Sequence, residues 1–325
     1  MKTIPALKER YQPYFDIGAA VTPAVLIQRG ELVRAQFSSL TAENQMKPEP
    51  IHPQPEQWRF ADADAIAAFA RDNGLHLRGH TLVWHAQTPR WFFDGADRDT
   101  LLSRVRGHMQ TMFDRYAKDV IAWDVVNEAV EDKTSAVLRD SLYHQIIGDD
   151  LVVQSFAMAR QLLPDGYFVY NDYNELVPEK RTKILAVLDA LNSAGHLADA
   201  VGMQCHWNIR DLDLDELRRS LDLYAAKGVH IQITELDLSL YGSEDKTVHD
   251  AATPENLALQ AELYGKIFVI FRQYHEVIDS VTFWGVTDEE SWLKNFPVPG
   301  RGYNKPLLFG ADGQPKECFW HVAEF

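Results

Sequence analysis

The chain has 325 residues, with 32 Lys plus Arg against 47 Asp plus Glu, for a formal net charge of −15. That balance excludes the basic face a nucleic-acid binder needs and argues against docking on an anionic membrane surface. Hydrophobic residues make up 46% and charged residues 24%, as in a packed globular chain rather than a disordered one, and the two cysteines, Cys205 and Cys318, are too few for a disulfide framework and fit a reducing compartment.

At the N-terminus, Lys8, Glu9 and Arg10 interrupt the apolar run a secretory signal requires. No later stretch approaches the roughly 20 apolar residues of a membrane span. A leaderless, cytoplasmic chain is the expectation. β-rich runs then follow at Phe15–Val21, Arg34–Leu40, His76–Trp84, Val120–Val126, Tyr167–Asn171, Ala200–His206, His230–Glu235 and Ser280–Gly285. Between them lie segments with helical spacing. In Asp99–Ala117 the stripe is Leu102, Val105, Met109, Met112 and Tyr116; in Pro178–Ala194 it is Ile184, Leu185, Leu188 and Leu191. Gly74, Gly195 and Gly228 each follow a helical segment and precede a strand, which suits a left-handed helix cap. No linker or short repeat divides the chain.

Eight strands with helical crossovers in about 300 residues predict an α/β fold, a closed (β/α)8 TIM barrel formed by one domain over residues 1–325. The open doubly wound sheet is the competing fold. It normally carries a Gly-rich phosphate loop after its first strand, and here that position reads Gly18-Ala19-Ala20-Val21-Thr22.

A barrel places its active site on the loops that follow the strands. Those strand ends supply Glu43, Asn44 and Lys47; His80, Trp84, His85 and Gln87; Asn127 and Glu128; Asn171, Asp172, Tyr173 and Asn174; Gln204 and His206; Glu235 and Asp237; and Trp284, Asp288 and Trp292. Carboxylates and amides meet hydroxyls, and indoles meet the C–H faces of sugar rings. The eight tryptophans are many for this length, and core packing accounts equally well for a share of them.

Two glutamates carry the chemical argument. Glu128 ends the fourth strand in Trp123-Asp124-Val125-Val126-Asn127-Glu128, and Glu235 ends the seventh in Ile233-Thr234-Glu235-Leu236-Asp237. Glycosidic cleavage needs one carboxylic acid to protonate the leaving oxygen and a second carboxylate to attack or to activate water. From position alone, each reads more readily as a solvated loop carboxylate. His206 and Asp237 are placed to orient Glu235 and keep it ionised, although an isolated His206 reads as a core histidine. Asn127 is either a donor to a sugar hydroxyl or a strand-end turn residue.

Other chemistries find less support. His80 and His85 lack the H-E-x-x-H arrangement of a zinc site. Asp211, Asp213 and Asp215 alternate like part of a calcium loop but lack its glycine and closing glutamate, and read as a solvated helix start. No metal or cofactor is expected. Cys205 beside His206 is expected to pack on the outer face, because adjacent strand residues point opposite ways.

The stretches Thr41-Ala42-Glu43-Asn44-Gln45-Met46-Lys47-Pro48, Arg78-Gly79-His80-Thr81-Leu82-Val83-Trp84-His85, Trp123 to Glu128, Tyr170-Asn171-Asp172-Tyr173-Asn174, Gln204-Cys205-His206, Ile233 to Asp237 and Phe283-Trp284-Gly285 together resemble, in order, the motifs of the family 10 glycoside hydrolases, the endo-β-1,4-xylanases. The resemblance implies roles. Glu128 matches the acid/base and Glu235 the nucleophile. Glu43, Asn44 and Lys47 match a group on the glycone side, and Gln87 a further polar contact there. His80, Trp84, Asn127, Gln204 and His206 match the lining where the bond breaks. Tyr173 matches an aromatic contact for the leaving-side sugar, Trp284 and Trp292 the pair around the reacting sugar, and Asp237 the partner of His206.

The implied reaction is a retaining double displacement, for which carboxyl groups about 5–5.5 Å apart are expected. The implied substrate is xylan or, for a leaderless chain, short imported xylo-oligosaccharides. A β-glucan or cello-oligosaccharide hydrolase of the same fold, and a carbohydrate-binding protein without catalysis, are the alternatives. The resemblance implies a site crowded by Glu43, Asn44, Lys47, Trp284 and Trp292, which argues for xylose, and the presence of both glutamates argues for catalysis. The segment Leu238 to Thr253 carries charged residues but no motif.

Overall fold

A computed structural model describes residues 3–249, 251–298 and 303–325. Asp250, in the segment without a motif, lies outside them. Strands β1 (Asp16–Val21), β2 (Ser39–Ala42), β3 (His76–Trp84), β4 (Val120–Asn127), β5 (Phe168–Asp172), β6 (Ala200–Met203), β7 (His230–Ser239) and β8 (Ile278–Phe283) run parallel. Each pairs with the next. The circle closes where Ala19 of β1 stands opposite Phe283 of β8. Closure removes the unpaired edges an open sheet would leave.

The helices between strands begin where the sequence signals them. Thr22, Asp97, Asp213 and Thr253 accept from backbone N–H groups at the starts of Pro23–Gln36, Arg98–Tyr116, Leu214–Ala225 and Pro254–Gln273. Of the alternating aspartates, Asp213 is the helix cap and Asp215 lies in the first turn, whereas Asp211 precedes the helix and accepts from Asn208 and Ser243. Gly74 and Gly228 stand at φ +64° and +74° after their helices, a conformation that strains an L side chain.

Three strand expectations need correction. The seventh run does not end at Glu235: β7 continues to Ser239, which places Glu235 near its middle. The run Arg34–Leu40 is not a strand: Pro23–Gln36 is helical, and only Ser39–Ala42 pairs in the sheet. Its capped and proline-primed start carries the helix through Val33, which is fully buried. The run Ala200–His206 breaks after Met203, because Cys205 adopts φ +59°. A short strand, His206–Asn208, then resumes beside Asp237–Ser239 of β7.

Alternation sorts the strand residues into two environments. Leu40, Leu77, Val125, Ile231, Ile233 and Val281 belong to the apolar core that includes the helices. Trp123 lies against β3 so closely that a Cβ on Gly79 would sit 2.3 Å from its ring. Inside the barrel, Ala122, Val169 and Ala200 form a small apolar cluster with Tyr167. Arg78 donates to Asp124 on β4 at 2.7 Å and to Gln232 on β7, also at 2.7 Å. β3 and β7 are four strands apart, so this side chain spans the interior.

The chain ends meet before the first strand. The Tyr11 hydroxyl donates to the Val322 carbonyl at 2.6 Å, and Arg10 donates to the carbonyls of Ala323 and Phe325. The Phe325 ring lies under the guanidinium groups of Arg10 and Arg272.

Candidate active site

Glu128 follows β4 at φ +56°. A left-handed backbone is unfavourable for a glutamate, so its surroundings must hold it there. Its N–H donates to the Asn171 carbonyl at 2.9 Å, and Arg139 Nε donates to its own carbonyl at 3.3 Å. The side chain meets neutral donors. Trp84 Nε1 reaches Oε2 at 2.9 Å, Gln204 Nε2 reaches Oε1 at 2.9 Å and Asn127 Nδ2 reaches Oε1 at 3.2 Å.

Glu235 is 5% exposed near the middle of β7. Asn171 Nδ2 donates to Oε1 at 2.8 Å, and His206 Nε2 lies 3.2 Å from Oε2. The other ring nitrogen of His206 is 3.0 Å from Asp237 Oδ2, which also accepts from Trp292 Nε1 at 2.8 Å. Burial alone pushes the Glu235 carboxyl up. The hydrogen bond from His206 and the nearby His80, His206 and Lys47 outweigh it and hold the carboxyl at about 2. Burial also disfavours a charged His206, but Asp237 and Glu235 raise it to about 10. At neutral pH the site therefore holds an ionised Glu235 beside a charged His206 imidazolium, whose other ring nitrogen meets Asp237.

An amide bridge joins the two glutamates. Asn171 Nδ2 donates both to Glu235 and to Asn127 Oδ1, the latter at 2.9 Å. Asn127 and Gln204 in turn reach Glu128. Thr234 Oγ1 fixes the Asn171 carbonyl at 2.7 Å, which settles the orientation of its amide. Below, Asp124 accepts from Arg78 and lies 2.8 Å from His80 Nδ1, so the polar interior of the barrel sets the His80 ring.

Both glutamates line one cavity of about 420 Å³. Lys47, His80, Trp84, Asn127, Tyr173, Gln204, His206, Trp284 and Trp292 line it with them. Burial pulls the Lys47 ammonium below its ordinary value against the opposing attraction of Glu235, Glu43 and Glu128. Its Nζ lies 4.8 Å from the Trp84 ring centre. Asn44 Oδ1 accepts from Lys47 at 2.9 Å, so Asn44 acts on the cavity through that lysine. Burial raises the Glu43 carboxyl, with Lys47 and Asn44 opposing. Asp237 stands behind His206. Gln87, at φ +44°, does not line the cavity, and its carbonyl accepts from the Glu49 N–H at 2.7 Å.

Several contributors had no assigned role in the sequence. Asn171 and Asn174 were visible at a strand end, but the bridging position of Asn171 depends on β4, β5 and β7 converging. Phe296 lines the cavity and stacks on Trp292 at 4.7 Å; their four-residue spacing in a loop is a weak signal. Asp124 and Arg139 carried none. Cys205 is fully buried, does not line the cavity and faces Glu175. Among the described residues, no group of three or more His, Cys, Asp or Glu is arranged to hold a metal ion, and no helix is long and apolar enough to cross a membrane.

Known proteins share this architecture over nearly the whole chain. The family described as Glycosyl hydrolase family 10 matches residues 6–325. Endo-1,4-beta-xylanase B of Paenibacillus barcinonensis is 45% identical, with 98% of each chain covered. An endo-1,4-beta-xylanase of Geobacillus stearothermophilus is also 45% identical, over 98% of each chain. A solved structure of a mutant in complex with xylotriose has a TM-score of 0.96 at 45% identity, covering 98% of this chain and 99% of that one. The endo-1,4-beta-xylanase from Caldicellulosiruptor owensensis has a TM-score of 0.96 at 46% identity, covering 99% of this chain and 100% of that one.

Proposed function

The chain belongs to glycosyl hydrolase family 10 and is an endo-1,4-β-xylanase, and we propose that it cleaves by retaining double displacement with Glu235 as nucleophile and Glu128 as acid/base. One observation carries the assignment of roles. Glu235 is held ionised by His206, with His80 and Lys47 nearby, whereas Glu128, across the amide bridge, accepts from the neutral Trp84, Gln204 and Asn127. A nucleophile has to be a carboxylate before reaction, which leaves Glu128, on the far side of the bridge, to serve the leaving oxygen.

Glu235 attacks the anomeric carbon while Glu128 gives its proton to the departing glycosidic oxygen. The bond to the leaving sugar breaks and a glycosyl ester on Glu235 forms. Glu128, now a carboxylate, takes a proton from water, which displaces Glu235 and restores the original configuration. His206 and Asn171 hold the Glu235 oxygens through both steps. Asn127 is placed to meet the 2-hydroxyl. Trp284 and Trp292 enclose the reacting sugar, Tyr173 contacts the leaving-side sugar, and Lys47, with Glu43 and Asn44 behind it, binds the glycone. Gln87 is a polar contact further along that side.

The substrate fitting this cavity is a short, soluble β-1,4-xylo-oligosaccharide. Trp84, Trp284 and Lys47 crowd its floor, which favours a pentose over a sugar bearing a hydroxymethyl group. A reducing, cytoplasmic setting suits Cys205 and Cys318, both buried as free thiols; cell fractionation tests it. The mechanism is tested by incubating the protein with xylobiose to xylohexaose and with cello-oligosaccharides, following the anomeric configuration of fresh products by proton NMR. Retained β-configuration on xylo-oligosaccharides is expected. Net inversion, or cleavage of cello-oligosaccharides alone, overturns the proposal.

A further inference from the structure

We propose that Arg139 is a positioning residue that ties the acid/base Glu128 to the leaving-side contact Tyr173, so that proton delivery and grip on the departing sugar are set by one side chain. The proposal rests on the roles given above to those two residues.

The chain leaving β4 folds back on itself. Val130 and Leu138 form an antiparallel bridge, the Glu131 N–H donates to the Val137 carbonyl at 2.9 Å, and the Arg139 N–H donates to the Ala129 carbonyl at 2.7 Å. This turn returns Arg139 to the residue next to Glu128. Its guanidinium then contacts both partners. Nε donates to the Glu128 carbonyl at 3.3 Å, and Nη2 donates to the Tyr173 hydroxyl at 2.8 Å and to Asp132 Oδ2 at 2.9 Å.

The surroundings fix the plane of that guanidinium. The Tyr173 hydroxyl donates to Asp132, which leaves its lone pair for Arg139. Lys180 pairs with Asp132 at 2.7 Å and with Asp172 at 3.0 Å, and its ammonium lies 4.3 Å from the Tyr173 ring centre. Two cations and two carboxylates thus sit together, and removing one cation leaves the cluster anionic.

Glu128 needs such a restraint because its left-handed backbone is not self-sustaining. Its N–H is held by Asn171 and its carbonyl by Arg139. Freeing the carbonyl lets the peptide rotate toward commoner geometry and carries the carboxyl away from Trp84 and Gln204. Losing the bond to Tyr173 at the same time loosens the wall against which the leaving sugar packs. A lysine cannot replace this contact, because one ammonium does not present two donors in a fixed plane.

The test compares R139A, R139K and E128A on xylo-oligosaccharides and on an aryl β-xylobioside whose leaving group needs no proton. For R139A, kcat/KM on oligosaccharides should fall on the order of ten- to a hundredfold, since displacements of about 1 Å cost that much. The first turnover of the activated glycoside should change far less. R139K should resemble R139A, and added guanidinium should restore part of the R139A rate on oligosaccharides only. Where R139A does not fold, R139Q carries the same comparison. Equal losses on both substrates, or R139K at the wild-type rate, overturn the positioning role. E128A separates the two levels: if E128A shows no dependence on the leaving group, the acid/base assignment itself fails and the role of Arg139 falls with it.

Discussion

The backbone of Gly202 runs beneath Asn171 so closely that a Cβ there would lie 2.3 Å from Asn171 Oδ1. Asn171 links Glu235 to Asn127, so this glycine sets the position of the amide bridge from the neighbouring strand. Gly202→Ala should displace Asn171 and cost roughly 1–3 kcal/mol of stability through overpacking. Turnover should fall more than KM rises, because the reacting carboxylate moves while the aromatic walls remain. Thermal unfolding and steady-state kinetics check both parts; wild-type turnover in a destabilised variant contradicts the link.

The pairing of His206 with Asp237 predicts a pH dependence with a definite sign. The folded-state value of His206 is raised from 6.5 to about 10. The resulting stabilisation is complete below 6.5 and is lost as pH rises toward 10. Glu235 is shifted down from 4.5 to about 2, so its contribution is complete above 4.5 and is lost as pH falls toward 2. Denaturation midpoints of the wild type should therefore decline from pH 6.5 to 10. Asp237→Asn removes the main attraction on the imidazolium and should flatten that decline. Parallel curves for the two proteins would rule out the assignment.

Glu128→Ala removes the proton donor and leaves the nucleophile in place. Turnover of xylo-oligosaccharides should drop by roughly 10²–10⁴-fold, the usual contribution of a general acid. Activated aryl xylosides should still glycosylate Glu235, and a burst of phenol followed by slow turnover should appear. Equal losses on both substrates would remove Glu128 from the role.

Arg78 and Asp124 are 1% and 0% exposed, and their ion pair is sealed inside the barrel. Asp124→Ala leaves a buried guanidinium facing the neutral Gln232 and takes the Nδ1 partner from His80. The cost should be about 3–5 kcal/mol. Equilibrium denaturation measures it, and a loss below about 1 kcal/mol would mean that water or another group compensates.

Much of this arrangement is legible in the order of residues because a barrel turns strand ends into a rim. Glu128 and Glu235 each follow β-branched residues, alternation turns both inward, and the parallel direction of the strands brings both to one mouth. The boundaries are less legible. Element ends carry little pattern of their own, so Arg34–Leu40 hides a helix end at Gln36, and Ala200–His206 hides the positive-φ turn at Cys205. The roles of Asn171 and Arg139 depend on which strands and loops become neighbours. No spacing along the chain encodes that Asn171 reaches two strands at once, or that Arg139 folds back on a residue eleven positions earlier.

The clasp of Tyr11 on Val322, and of Arg10 on Phe325, has an architectural consequence. The segment leading into β1 and the last described helix therefore lie side by side at the end of the barrel where β1 begins, whereas Glu128 follows the far end of β4. Circular permutation is therefore open to this fold: a short peptide can splice the ends together while a new opening is cut in a surface turn.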